Sequence, residues 1–233
     1  MHKSALDSFL HFDKTYLSLL SEPHIVEIGS LDINSSIKDF ISQKHTYTGV
    51  DITAGKNVDV VLKDPYKFPI DGDSVDVVIA ISTFEHIDFF WLTYLEILRI
   101  LKKGGIFFLN VPSNGNFHRH NNDNWRFYPD SSLALEKWGL KNGFNNSCLE
   151  HFTLDHSGRS TWNDYIAIII KEKNEKDKYP NRIIEKFKNF RNGRDDKSEK
   201  ILNFNKISHD QDNWGWKIFY KFRKFLNKIN NKY

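Results

Sequence analysis

The sequence predicts an α/β fold built on a mostly parallel sheet. Short apolar runs alternate with stretches of helical period, Val75 to Ile81 is the almost wholly apolar kind of run that is buried on both faces, and Gly29 and Gly104-Gly105 mark changes of pattern. Ala5, Leu6, Phe9, Leu10, Phe12, Tyr16, Leu17 and Leu20 recur at helical spacing, predicting a first helix over residues 3 to 20 that Glu22-Pro23 closes. A strand from Ile25 to Ile28 follows, then a helical pattern through Ile33, Ile37, Phe40 and Ile41. Tyr47 to Asp51, Val58 to Leu62 and Val75 to Ile81 read as strands, Phe89 to Leu101 as a helix, and Ile106 to Val111 as the strand after the glycine pair. Pro112 to Pro129 lacks an apolar period and is long for a loop in a compact domain, a common sign of function. Leu133 to Leu140 reads as a helix, and Phe144 to Leu154 and Trp162 to Ile170 as strands pairing antiparallel around Ser157-Gly158. Seven strands are expected.

Composition narrows the class. Phe 19, Tyr 9 and Trp 6 supply large apolar bodies for a core, which argues against wholesale disorder. The single Cys148 can form no internal disulfide or cysteine zinc cluster, no N-terminal stretch resembles a secretory signal, and a cytoplasmic location is expected. The longest apolar runs, such as Ile166 to Ile170, fall far short of the roughly 20 residues that cross a bilayer.

Charge divides the chain. Residues 1 to 175 carry 17 Lys+Arg against 23 Asp+Glu, a net −6, whereas residues 176 to 233 carry 16 against 7, a net +9. Three segments are expected: an N-terminal helix (1–22), a globular body (23–172) and a basic, partly helical extension (173–233). Within the extension, Asn181 to Phe190 reads as a short helix and Arg191 to Glu199 as a linker. From Trp216 to Ile229, Ile218, Phe222, Phe225, Leu226 and Ile229 share one helical face and Lys217, Lys221, Lys224 and Lys228 another. Such a helix suits peripheral contact with anionic lipid, or docking on the body or on a second copy in a homodimer. Nucleic acid is not expected, because the body is acidic and no recognition motif accompanies the tail.

Glu27-Ile28-Gly29-Ser30 falls at a strand-to-helix turn, and Asp51 ends the next strand 22 residues after Gly29, where a carboxylate accepts hydrogen bonds from ribose hydroxyls. NAD competes for this pattern, but the glycine-rich turn that brings amides against pyrophosphate is missing. Glu27 would repel pyrophosphate and favour a ligand bearing ammonium and sulfonium, the charge pattern of S-adenosylmethionine.

Five ordered motifs carry a resemblance. Val26-Glu27-Ile28-Gly29-Ser30, Tyr47-Thr48-Gly49-Val50-Asp51, Ser74-Val75-Asp76-Val77-Val78, Thr83-Phe84-Glu85-His86-Ile87 and Leu98-Arg99-Ile100-Leu101-Lys102-Lys103-Gly104-Gly105 resemble class I S-adenosylmethionine-dependent methyltransferases over residues 23 to 172. The Gly29-Ser30-Leu31-Asp32-Ile33-Asn34 turn is similar to the branch found in bacterial surface-polysaccharide biosynthesis, of capsule or O-antigen. The resemblance implies a Rossmann-like methyltransferase fold, a seven-stranded sheet with an antiparallel last strand and helices on both faces. It implies that Glu27, Gly29 and Ser30 border the methionine part, that Asp51 holds the ribose, and that Ile52 flanks adenine. It also implies that Asp64 reads the adenine amino group and that Ala80, Ile81 and Ser82 lie beneath the sulfonium. Leu31 stands where the family commonly has a second glycine.

Methyl transfer to oxygen needs alignment and a base or cation to take or share the acceptor's proton. His86, after the fourth strand, is one candidate base; capping or bracing a loop is its other reading. His118, His120 and Asp123 in the long loop are further catalytic candidates. Those three also have metal-ligand chemistry, but such a set arises by chance in a polar loop and no metal is expected. Trp125, Arg126, Phe127 and Tyr128 would wall a polar acceptor, a small molecule or glycan precursor, which the resemblance supports through the Trp-Arg-Phe segment before Pro129. Arg126 reads equally as a clamp on loop carboxylates. The expected activity is O-methylation of a sugar or sugar-linked group; methylation of a phosphate, phosphoramidate or amine, or a non-catalytic module held by its basic helix, are the alternatives.

Overall fold

The computed structural model describes residues 2–32, 36–119, 122–155, 162–198 and 200–211, with 215, 218, 219, 221–223 and 226 in the C-terminal stretch. His120, Asn34 and the turn at Ser157-Gly158 lie outside the described residues, as does most of the predicted C-terminal helix.

Eight strands form one sheet in the order β3-β2-β1-β4-β5-β7-β6-β8. They are β1 (His24–Ile28), β2 (Thr46–Asp51), β3 (Val60–Val61), β4 (Val75–Ile81), β5 (Leu101–Pro112), β6 (Ser147–Leu154), β7 (Asp164–Ile170) and β8 (Phe190–Asp195). The β1–β2, β1–β4, β2–β3 and β4–β5 pairs are parallel, while β5–β7, β6–β7 and β6–β8 are antiparallel. The mostly parallel sheet is thus as expected, with eight strands instead of seven and with two strands, β7 and β8, running against the rest. From β1 the chain moves outward to β2 and β3, then returns to the other side of β1 as β4. This reversal opens a crevice at the carboxyl ends of β1 and β4, where open α/β sheets bind ligands.

Both faces of the sheet are covered. On one, α2 (Phe90–Ile100) and α3 (Ser131–Lys141) pack Tyr94, Ile97, Leu98 and Leu135 against Val78, Phe107 and Tyr165. On the other, α1 (Lys3–Thr15) places Phe9 and Phe12 on Phe108, with ring centroids 6.4 and 4.6 Å away. Helix α1 ends at Thr15, short of the predicted residue 20: Tyr16 caps it, its amide on the carbonyl of Phe12 and its hydroxyl 2.5 Å from the buried carboxylate of Glu150, and a short 3-10 turn, Leu17–Leu19, follows. The helical pattern expected through Ile41 is, in its described part, only the 3-10 turn Ile37–Phe40, and the strand expected over residues 58 to 62 shrinks to Val60–Val61.

Neither the expected segment boundary at residue 173 nor the change of charge after residue 175 is matched by a break in packing. Tyr179, Ile183 and Ile184 lie in the same core as Phe9 and Phe152, and Glu150 accepts the amides of Ile183 and Ile184 at 2.9 and 2.7 Å. The helix expected over Asn181 to Phe190 is a single 3-10 turn, Ile183–Lys186, and the expected linker contains β8. Phe-Arg-Asn-Gly-Arg-Asp has no apolar alternation; backbone pairing to β6 and the 2.8 Å Arg191–Asp155 ion pair fix it as an edge strand. Beyond it, described positions from 215 to 226 are helical and expose Ile218, Phe219, Phe222 and Leu226. No helix among the described residues is long and apolar enough to cross a membrane.

Candidate active site

The crevice begins at Gly29, whose φ of +75° carries the chain off β1 in the left-handed region that glycine adopts without strain. A Cβ there would fall 2.2 Å from Oγ1 of Thr83, so Gly29 also permits the turn to lie against the end of β4. Thr83 braces the junction by donating to the carbonyls of Ile28 and Ile81, at 3.2 and 2.9 Å. Ser82, beside it, is exposed and holds φ +49°, an unfavourable backbone state of the kind kept at functional sites. Ile81 is half-buried at the same edge, whereas Ala80 is fully buried, so its side chain belongs to the core and only its backbone can border a ligand.

Three carboxylates surround the turn. Glu27 is buried and accepts the Tyr47 hydroxyl. Gly49 is its register partner on β2; with no side chain there, Tyr47, two residues earlier on the same face, can reach across. Burial pushes the Glu27 carboxyl up to about 7, with Asp32 and Asp51 adding to the rise and the Tyr47 hydrogen bond opposing it. Asp51 accepts the amides of Leu31 (3.2 Å) and Thr53 (2.9 Å), so it shapes the turn while its remaining lone pairs can accept from a ribose. Ser30 is buried with no partner for its hydroxyl. Ile52 is 54% exposed at the same edge. Asp64 is exposed and accepts the amide of Tyr66 at 2.8 Å; the role seen is to hold the turn after β3.

The chain after Thr83 forms a 3-10 turn, Phe84–His86, that packs against the long loop. His86 Nδ1 contacts the carbonyl of Asn122, its ring lies 5.1 Å from that of His118, and the His118 ring meets Trp162 edge-on at 4.8 Å. Trp162 lies where a Cβ on Gly115 would fall, 2.4 Å away, which pins the loop at that end. Glu85 is buried, and its Oε2 has no partner. Burial drives its carboxyl up to about 8, Asp123 and Asp164 raise it further, and Arg126 opposes them.

Asp123 and Arg126 are joined by two bonds of 2.6 and 2.8 Å, and Arg126 also donates to the carbonyls of Trp125 and Asn116 at 2.8 and 2.9 Å. The guanidinium holds the Asp123 carboxyl well below the usual carboxylate range. Of the two readings of Arg126, the loop clamp is the one found: both terminal nitrogens are spent on the loop. Asp123 is correspondingly a clamp partner and no base. Phe127 is 2% exposed and packs on Phe90, so it is core and not acceptor wall. Trp125 donates to the carbonyl of Ile87 at 3.0 Å and is half-buried. Tyr128, 55% exposed, lines a cleft with Ser113, Thr153, Asn205 and Lys206.

Fold and crevice together define a class, the open α/β enzymes that bind an adenosine ligand at the switch between β1 and β4. Residues 15–109 match the family model described as a methyltransferase domain. Among solved structures, the [4+2]-cyclase SpnF is 12% identical with a TM-score of 0.55, covering 72% of this chain and 82% of its own. A Burkholderia thailandensis 1,6-didemethyltoxoflavin-N1-methyltransferase, with 1,6-didemethyltoxoflavin and S-adenosylhomocysteine bound, is 13% identical with a TM-score of 0.52, over 73% and 80%. A Thermotoga maritima structure described as an S-adenosylmethionine-dependent methyltransferase is 18% identical with a TM-score of 0.50, over 70% and 92%. At these identities the structures speak for the fold alone, and a cyclase among them shows why the reaction must be argued from the site. No curated protein sequence matches the chain. The chain carries a methyltransferase domain and is an S-adenosylmethionine-dependent methyltransferase.

Sequence reasoning missed Glu85, Thr83 and Tyr47. Each lay inside a quoted motif, but their roles depend on burial and cross-strand contact, which spacing does not show.

Proposed function

We propose that this enzyme moves the methyl group of S-adenosylmethionine to an oxygen of a sugar or sugar-linked group in a surface-glycan precursor. Glu27, Gly29 and Ser30 receive the methionine part and Asp51 the ribose, with Ile52 against adenine and Ser82 at the sulfonium. The observation that carries the reading is that the turn after β4 joins both halves of the site: Thr83 touches the donor turn, and Glu85 and His86 meet the acceptor loop at His118. The donor's sulfur would leave as neutral thioether while the acceptor oxygen takes the methyl. Positioning and exclusion of water supply much of the rate, and a histidine edge beside the acceptor is suited to take the proton. His86 and His118 are the bases proposed.

Oxygen is favoured over phosphate because Arg126 is already engaged by Asp123, Asn116 and Trp125. The glycan assignment rests on the Gly29 to Asn34 turn and on the polar, aromatic acceptor loop. Incubation with S-adenosylmethionine and a panel of nucleotide-linked and lipid-linked sugars, read by product mass spectrometry, tests it. A gain of one methyl on a sugar hydroxyl is the expected result; methylation only of phosphate or amine groups, or no turnover with any acceptor, overturns it.

A further inference from the structure

At the carboxyl edge of the sheet, a cleft of about 150 Å³ lies between the end of the acceptor loop and the C-terminal extension. Ser113 and Tyr128 line it from the body and Asn205 and Lys206 from the extension, together with Thr153 of β6 and Arg191 of β8. We propose that this cleft is a second acceptor subsite, which holds a sugar ring remote from the one that is methylated. Sugar hydroxyls donate and accept hydrogen bonds, as do the hydroxyls and amides of this lining. Thr153 is 2% exposed and its hydroxyl has no partner, a cost that a ligand hydroxyl would recover. Asn205 spends its Oδ1 on the amide of Ile207 at 2.9 Å, which leaves its NH2 group to donate. Tyr128, more than half exposed, offers an aromatic face to the apolar side of a pyranose and a hydroxyl at its rim.

Size and charge agree. The volume suits one hexose ring and is well below the roughly 300–1,000 Å³ of pockets that enclose larger ligands. Phosphate is the poorer match, because Arg191 and His209 both lie on Asp155, at 2.8 and 3.2 Å, and Asp210 in the lining would repel it.

The cleft is built into the fold. Thr153 and Arg191 are register partners across β6 and β8, and Asn192 exchanges two hydrogen bonds with the backbone of Asn205, at 2.9 and 2.7 Å. These contacts bring residues 205–210 to the end of β6, so the extension supplies one whole wall. Strand β6 stands three places from β4, and neighbouring strands are about 4.8 Å apart, so Thr153 lies roughly 14 Å along the edge from the donor crevice. Tyr128 belongs to the acceptor loop, and Asp210 acts electrostatically on Arg126 within that loop, so the two places adjoin. An acceptor that reaches both is an oligosaccharide and not a single sugar. That the methylated group is itself a sugar rests on the function proposed above.

Saturation-transfer NMR on the full-length protein, with the methyl β-glycosides of glucose, galactose, N-acetylglucosamine and glucuronic acid as probes, tests the subsite. Saturable transfer to the ring protons of at least one glycoside is expected, with affinity lowered by about three- to tenfold in Thr153→Val and in Tyr128→Ala and unchanged in His45→Ala, which lies before β2. Thr153→Val exchanges an unpartnered buried hydroxyl for a methyl group, so the fold is preserved, and S-adenosylhomocysteine binding by each variant checks this. Absence of saturable transfer from all four probes, or an affinity that both cleft variants retain, overturns the proposal. Sugar methylation by a protein whose glycoside affinity ignores both cleft variants defeats only the subsite. Glycoside binding that both variants weaken, in a protein that methylates no sugar, supports the subsite and defeats only the glycan reading.

Discussion

Donor binding should depend on pH through Glu27. Burial holds this carboxyl near 7, so at neutral pH about half the empty sites carry a proton there. A ligand ammonium beside it favours the ionised form, and the protonated fraction must release its proton on binding. If only the carboxylate binds, apparent affinity for S-adenosylhomocysteine falls by the factor 1 + 10^(7 − pH), which is about 1.1 at pH 8, about 2 at pH 7 and about 11 at pH 6. The tenfold weakening from pH 8 to pH 6 corresponds to about 1.4 kcal/mol, with about 0.9 proton released per ligand at pH 6. Calorimetry in two buffers of different ionisation enthalpy at each pH reads affinity and proton release together. Glu27→Gln should bind more weakly and show no slope. A flat wild-type profile, or the same slope in the variant, refutes a role for Glu27 at the ammonium.

Four further outcomes follow from the same geometry. Because Glu27 holds its proton to about 7 in the folded chain against 4.5 as the ordinary value, the ligand-free protein loses stability as pH rises across that window, by up to about 3 kcal/mol from this group, and chemical denaturation of Glu27→Gln should show a shallower decline. Gly29→Ala forces a Cβ onto Thr83 at positive φ; a loss of about 1–3 kcal/mol and of S-adenosylhomocysteine binding is expected, and an unaltered variant would contradict the close approach. Glu150→Ala strands the Tyr16 hydroxyl and the amides of Ile183 and Ile184, each worth about 1–3 kcal/mol when left unpaired, so urea should unfold it at a markedly lower midpoint. Tyr128→Ala, at an exposed position, should raise the acceptor KM while leaving stability within about 0.5 kcal/mol, and an unchanged KM removes Tyr128 from the acceptor wall.

What sequence made legible follows from what is local. Val75 to Ile81 is a strand over its whole predicted length because a buried parallel strand needs apolar residues on both faces, and that need is written along the chain. The strand-turn at Gly29 and the carboxylate ending β2 were likewise local in sequence and came together in space as expected. Where partners lie far apart in sequence, the pattern is silent. Edge strand β8 is built of polar residues held by backbone pairing and by Asp155. Phe127 resembled a surface aromatic because its neighbours are polar, yet it fills a space beside Phe90. Asp123 read as a catalytic candidate and Arg126 as either an acceptor contact or a loop clamp, and only their two bonds, at 2.6 and 2.8 Å, show that they satisfy each other. Glu85 sat in a motif read for its histidine, and only burial reveals that its carboxyl is the unusual group.

A crystal structure of the protein with S-adenosylhomocysteine tests the central claim most directly. Ribose hydroxyls on Asp51, the ammonium facing Glu27 and the sulfur directed between Ser82 and His86 are the predicted result. A ligand seated away from the β1–β4 crevice, or one that leaves both carboxylates untouched, would contradict it.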